Sequence, residues 1–109
     1  MSELTQKRCV PCEAGVPPFE KQEVERLLSQ VPGWSLSGKW ITKEFHFRNF
    51  IEAMKFVNRA GDLAEAEGHH PDIHIHYNRV RFDIWTHAID GLSENDFILA
   101  AKIDALPRA

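Results

Sequence analysis

The sequence predicts an α+β two-layer sandwich. A four-stranded antiparallel sheet should carry three helices on one face, in the order α-β-β-α-β-β-α. Three observations predict it. Two segments rich in aromatic and β-branched residues, Trp34 to Phe47 and Asp72 to His87, each break at a turn and read as hairpins. The segment between them keeps helical periodicity over four turns. Shorter helical patterns flank the pair, and hairpins with helices on one side make a two-layer α+β fold.

Residues 1–18 read as an arm with little regular structure, and residues 19–109 as a single domain. In the first helix, about Glu20 to Gln30, Val24, Leu27, Leu28 and Val31 form one apolar stripe, and Pro32-Gly33 stops it. In the first hairpin Ser37-Gly38 reads as the turn. Ile41, Phe45 and Phe47 share a face with Lys43, while Trp40, Thr42, Glu44 and His46 take the other. The long helix places Phe50, Ala53, Met54, Val57, Ala60, Gly61 and Ala64 on one stripe. Asn49 and Glu52 resemble a capping box, and Gly68 fits the position just past the helix. In the second hairpin Ile73, Ile75 and Tyr77 alternate with Asp72, His74 and His76. Val80, Phe82, Ile84 and Thr86 alternate with Arg79, Arg81, Asp83, Trp85 and His87. The last helix opens at Ser93, with Asp96 completing a second capping pattern and Phe97, Ala100 and Ala101 heading its apolar stripe.

The totals narrow the class. The net charge of −3, with lysines and arginines scattered, disfavours direct nucleic-acid binding. No run approaches a membrane span, and the first residues lack the apolar core of a signal peptide, so a cytoplasmic protein with reduced cysteines is expected. Cys9 and Cys12 form a CVPC pair. Its spacing suits half a zinc site or a redox dithiol, but no second pair follows, and the plainer reading is a reduced pair in the arm.

Five of the six histidines fall between His69 and His87. If the second hairpin turns about Asn78, His69 comes opposite His87, and His70 opposite Thr86. A loop one residue different brings His70 near His87, so three imidazoles meet at the open end of the hairpin. Pro71 lacks an N–H and ends the pairing. Imidazoles exchange protons near neutrality, so His69, His70 and His87 could divide acid and base roles. The same set, or the His74/His76 pair, could instead ligate a metal.

The spaced set Glu65, His69-His70-Pro71, Tyr77, His87 and Asp96 resembles the signature of pterin-4a-carbinolamine dehydratases. The upstream run Phe45, Phe47, Phe50, Ala53 and Phe56 is similar too, and the resemblance covers about residues 20 to 106. It implies dehydration of 4a-hydroxytetrahydropterin, the product of aromatic amino acid hydroxylases, to quinonoid dihydropterin and water. It also implies a homodimer or homotetramer, with no metal and no organic cofactor. His69 and His87 would be general acids, one for each face of the pterin. His70 would bind substrate and take the N5 proton. Glu65 would orient His69 or contact the ring, unless it is a solvated helix-end charge. Thr86 would bond substrate or fill the sheet face. Asp72 would accept a bond from a histidine or stay solvated. Capping alone accounts for Asp96. Where animal members carry an aromatic residue soon after the HHP, this chain has Ile73 and His74. Two other classes stay open: a histidine metal-binding protein, and a protein-interaction module such as the animal members that stabilise dimers of a homeodomain factor.

Overall fold

The fold, taken from a computed structural model that describes residues 3–10 and 17–108, is built on two hairpins set side by side. Strands β1 (Ser35–Ser37) and β2 (Trp40–His46) form the first. Ser37 still pairs with Trp40, so the turn is Gly38-Lys39, one residue later than the expected Ser37-Gly38. Strands β3 (Asp72–His76) and β4 (Arg79–Ile84) form the second. β2 and β4 pair from Ile41↔Ile84 to His46↔Arg79, giving an antiparallel sheet of order β1-β2-β4-β3.

Three helices cover one face: α1 (Lys21–Leu28), α2 (Phe50–Glu67) and α3 (Glu94–Asp104). All three join the sheet in one apolar core, to which β2 contributes Ile41 and Phe45 and β4 contributes Val80, Phe82 and Ile84. Phe56 of α2 is the centre. Its ring lies 5.0 Å from Phe45, 5.1 Å from Phe47 and 6.0 Å from Phe82, in the range where tilted and edge-on aromatic pairs are favourable. Seating Phe56 turns the buried stripe of α2 onto Ala53, Phe56, Ala60 and Ala64. Phe50, expected on that stripe, is instead exposed and stacked on Tyr77. Asn49 caps α2 through the Glu52 N–H, but the Glu52 carboxylate pairs with Arg48, so the capping box is only half made.

Lys43 sits on the helix-facing side of β2 because its ammonium has an outlet. It reaches Asp104 at the end of α3, 2.9 Å away, with its charge over the Phe45 ring. Asp104 also accepts the Trp34 indole N–H. α3 is buried nearly all round, from Asn95 to Ile103. The segment before the domain explains this. Expected to be irregular, it forms a 3-10 turn at Glu3–Gln6 that contacts α3, and Leu4 enters the core. Cys12 of the CVPC pair lies outside the described residues. Among the described residues no helix is long and apolar enough to cross a membrane.

The second hairpin closes more tightly than a turn about Asn78. His76 pairs with Arg79, leaving Tyr77-Asn78 as the turn, with Tyr77 at a left-handed φ of 52°. Asn78 pins this turn to Phe47 by two hydrogen bonds, to its N–H and its carbonyl.

Phe56→Ala should remove the ring shared by β2, β4 and α2 and lower stability by roughly 3–5 kcal/mol. Urea unfolding at fixed protein concentration measures it, and a loss below about 1 kcal/mol would contradict a central role for this ring.

Candidate active site

The histidines are placed by two chain reversals rather than by strand pairing. Pairing of β3 with β4 ends at Asp72↔Asp83, so His69, His70 and His87 all lie beyond the ladder. The expected pairing of His69 with His87 is therefore not made. The first reversal follows α2. Gly68 takes a left-handed φ of 67°, its N–H bonds the Glu65 carbonyl, and the His69 N–H bonds the Ala64 carbonyl. This double bond pattern closes a helix and turns the chain sharply, and glycine adopts it without strain. His69 and His70 leave from it. The second reversal follows β4. Thr86 and Gly91 bridge through their backbones around a 3-10 turn, His87–Ile89. Gly91 is needed there because a Cβ would lie 2.6 Å from Pro18.

Together they make one cavity of about 240 Å³, lined by Gly68, His69, His70, Trp85, Thr86, His87 and Ala88, with Val10 and Asn95 closing a side. Its size suits one small planar molecule. The three imidazoles meet here, each held differently. His69 Nε2 lies 2.6 Å from Asp96 Oδ1. A carboxylate only accepts, so Nε2 carries the proton and Nδ1 is the nitrogen left for a ligand. His70 Nε2 lies 2.9 Å from Glu65 Oε1 in an exposed pair. The His87 ring lies on Trp85, with centroids 4.1 Å apart. Glu65 thus partners His70, not His69 as expected.

Asp96 does more than cap. Its Oδ2 accepts the Ser93 N–H at 2.9 Å and the Thr86 hydroxyl at 2.9 Å, completing the cap, while Oδ1 holds His69. Asp96 is fully buried, at the start of α3, where the helix dipole favours negative charge. Thr86 lines the cavity, but its hydroxyl is engaged by Asp96 and Ser93. Asp72 begins β3, exposed and away from the cavity lining. His74 and His76 are on the sheet's uncovered face. There Asp83, buried among polar groups, accepts from Thr42 at 2.7 Å and lies 3.0 Å from His74. Among the described residues no group of three His, Cys, Asp or Glu is arranged to hold a metal. Burial, then the nearby Glu67 carboxylate, push the Cys9 thiol up to about 12, so it stays protonated rather than reactive.

Trp85, Asn95 and Val10 are among the lining residues that the sequence does not mark. Trp85 supplies the aromatic surface that Ile73 and His74 do not, and its indole N–H is buried without a partner among the described residues. Its only signal was its place beside Thr86-His87. Asn95 adjoins Asp96 but looks like an ordinary first-turn residue. Nothing local marks Val10.

Residues 17–106 match the family described as pterin 4 alpha carbinolamine dehydratase. The chain belongs to this family of hydro-lyases. A Rubrobacter xylanophilus protein named for this dehydratase is 52% identical over 107 residues, covering 97% of this chain and all of its own. A Halorhodospira halophila protein named likewise is 56% identical, covering 94% of this chain and 96% of its own. A solved Brucella melitensis structure, described as a transcriptional coactivator/pterin dehydratase, superposes with a TM-score of 0.78 at 32% identity, covering 81% of this chain and 96% of that one.

Thr86→Val should strip Asp96 of a donor in a dry setting and cost about 1–3 kcal/mol, whereas Thr86→Ser should be close to neutral. Thermal unfolding of the two variants side by side checks this; equal melting temperatures would count against the Asp96 network.

Proposed function

We propose that this protein dehydrates a 4a-hydroxytetrahydropterin to quinonoid dihydropterin by histidine acid–base catalysis, in tetrahydrobiopterin recycling. The observation that carries the reading is the convergence of His69, His70 and His87 on one cavity with three different partners. The substrate has a hydroxyl on C4a and a proton on N5. The N5 lone pair expels the hydroxyl as water once its oxygen is protonated, C4a=N5 forms, and the N5 proton leaves. One proton enters at oxygen and one departs at nitrogen, so the reaction calls on proton donors and acceptors alone.

His69, with Nε2 committed to Asp96, offers Nδ1 to the leaving hydroxyl. His87, on the opposite reversal, offers a second donor for a hydroxyl on the other face of the ring. His70, turned toward Glu65 at the rim, binds the substrate and takes the N5 proton. Solvent restores each imidazole, which suits the exposure of His70 and His87. The proposed setting is the cytoplasm, where the Cys9 thiol stays reduced, and the proposed assembly is a homodimer or homotetramer. The uncovered sheet face and the exposed Phe50, Ile51 and Tyr77 support association.

The test is the dehydration rate of synthetic 4a-hydroxytetrahydropterin, followed by absorbance with chelator-treated enzyme. His69→Ala and His87→Ala should each lose on the order of 10²- to 10⁴-fold in rate. His87→Ala should fold like the wild type, whereas His69→Ala, which takes a bond from the buried Asp96, should also cost about 1–3 kcal/mol of stability. No acceleration over buffer by the wild type, or a double variant at the wild-type rate, would refute the reading.

A further inference from the structure

The segment that defines the family starts at residue 17, yet Val10 lines the same cavity as the three histidines. We infer that the N-terminal arm is a working wall of the substrate site, with Val10 packing on the bound pterin and Asn95 holding the arm in place. This rests on the dehydratase reading.

The wall is built, not loosely laid. Asn95 is 4% exposed, and its carboxamide takes both backbone groups of Val10. Oδ1 accepts the Val10 N–H at 2.9 Å, and Nδ2 donates to the Val10 carbonyl. A single side chain thus plays the part of a neighbouring strand. One residue earlier, the Cys9 N–H donates to Glu67 Oε1 at 2.8 Å, and Glu67 is paired with Lys102 at 2.7 Å. The Cys9 thiol donates to the Asn95 carbonyl. Burying these polar groups is costly unless they are paired, and here the arm is the partner.

The anchors have a meaningful location. Glu67 is the last residue of α2, just before Gly68 and His69. Asn95 immediately precedes Asp96 in α3. The arm therefore straps the end of α2, two residues before His69, to the start of α3, which carries Asp96. With its backbone consumed by Asn95, Val10 is still 63% exposed, at the cavity. An apolar group displayed beside imidazoles gains by being covered with a flat ring, and Trp85 offers a second such surface. Val10 thus acts on affinity, whereas Asn95 is a positioning residue that acts through the arm.

The experiment compares wild type, Val10→Asp, Val10→Leu and Asn95→Ala. Binding of 7,8-dihydropterin is measured by titration calorimetry, KM and kcat by turnover of the carbinolamine. Val10→Asp should raise Kd and KM about tenfold, with the larger effect on KM rather than kcat, and Val10→Leu should stay near wild type. Asn95→Ala should show the same weakening together with faster tryptic cleavage after Arg8 while the rest of the chain stays resistant. Wild-type Kd and KM in Val10→Asp would overturn the inference even with full dehydratase activity. Should the wild type bind dihydropterin without dehydrating the carbinolamine, the dehydratase reading falls and the Kd values alone judge the wall. Neither binding nor turnover in the wild type overturns both.

Discussion

The site depends on one buried carboxylate. Asp96 has no exposure to solvent, so the protein must supply the hydrogen bonds that water cannot. It draws them from three separate places: the turn before α3 through Ser93, the end of β4 through Thr86, and the reversal after α2 through His69. Displacing any of the three leaves a charge-bearing group underbonded where the medium is least forgiving. The stability of the α3 start and the orientation of the His69 ring are therefore one problem. The His69 imidazole gains rigidity from a group the fold must satisfy in any case.

The fold was largely legible because most of its elements announce themselves by period. Two-residue alternation marked both hairpins, and the helical stripe and Gly68 marked α2. What failed were choices among equivalent apolar residues and turns. Phe50 and Phe56 both fit a helical stripe, and only the positions of Phe45, Phe47 and Phe82 decide which ring goes inside. The Tyr77-Asn78 turn puts a bulky residue at positive φ, a choice local preference argues against, and Asn78 holds it by bonding Phe47 across the sheet. Lys43 looked misplaced until Asp104, far along the chain, supplied its counter-charge.

The site was legible to the extent that its groups are neighbours in sequence. His69-His70 and Thr86-His87 could be brought together by any hairpin between them, whatever its register. Asp96 was harder, since its capping role is sufficient by itself and hides the second oxygen facing His69. Glu65 stands one helical turn before His69, but the reversal at Gly68 carries His69 away toward Asp96 and leaves His70 beside Glu65. The contribution of Val10 and Asn95 depends on a contact across most of the chain, which no periodicity encodes.

The same geometry gives the three imidazoles unlike surroundings. The His69 side chain is 12% exposed against a fully buried carboxylate, whereas the His70 side chain is 62% exposed against a carboxylate itself in water. His87 has no carboxylate partner among the described residues, and its ring lies on Trp85. Three chemically identical groups thus line one cavity from a dry setting beside a carboxylate, a wet setting beside a carboxylate and an aromatic one. A cluster of identical solvated histidines would offer three copies of one function. The two chain reversals, by distributing them among Asp96, Glu65 and Trp85, make them a set.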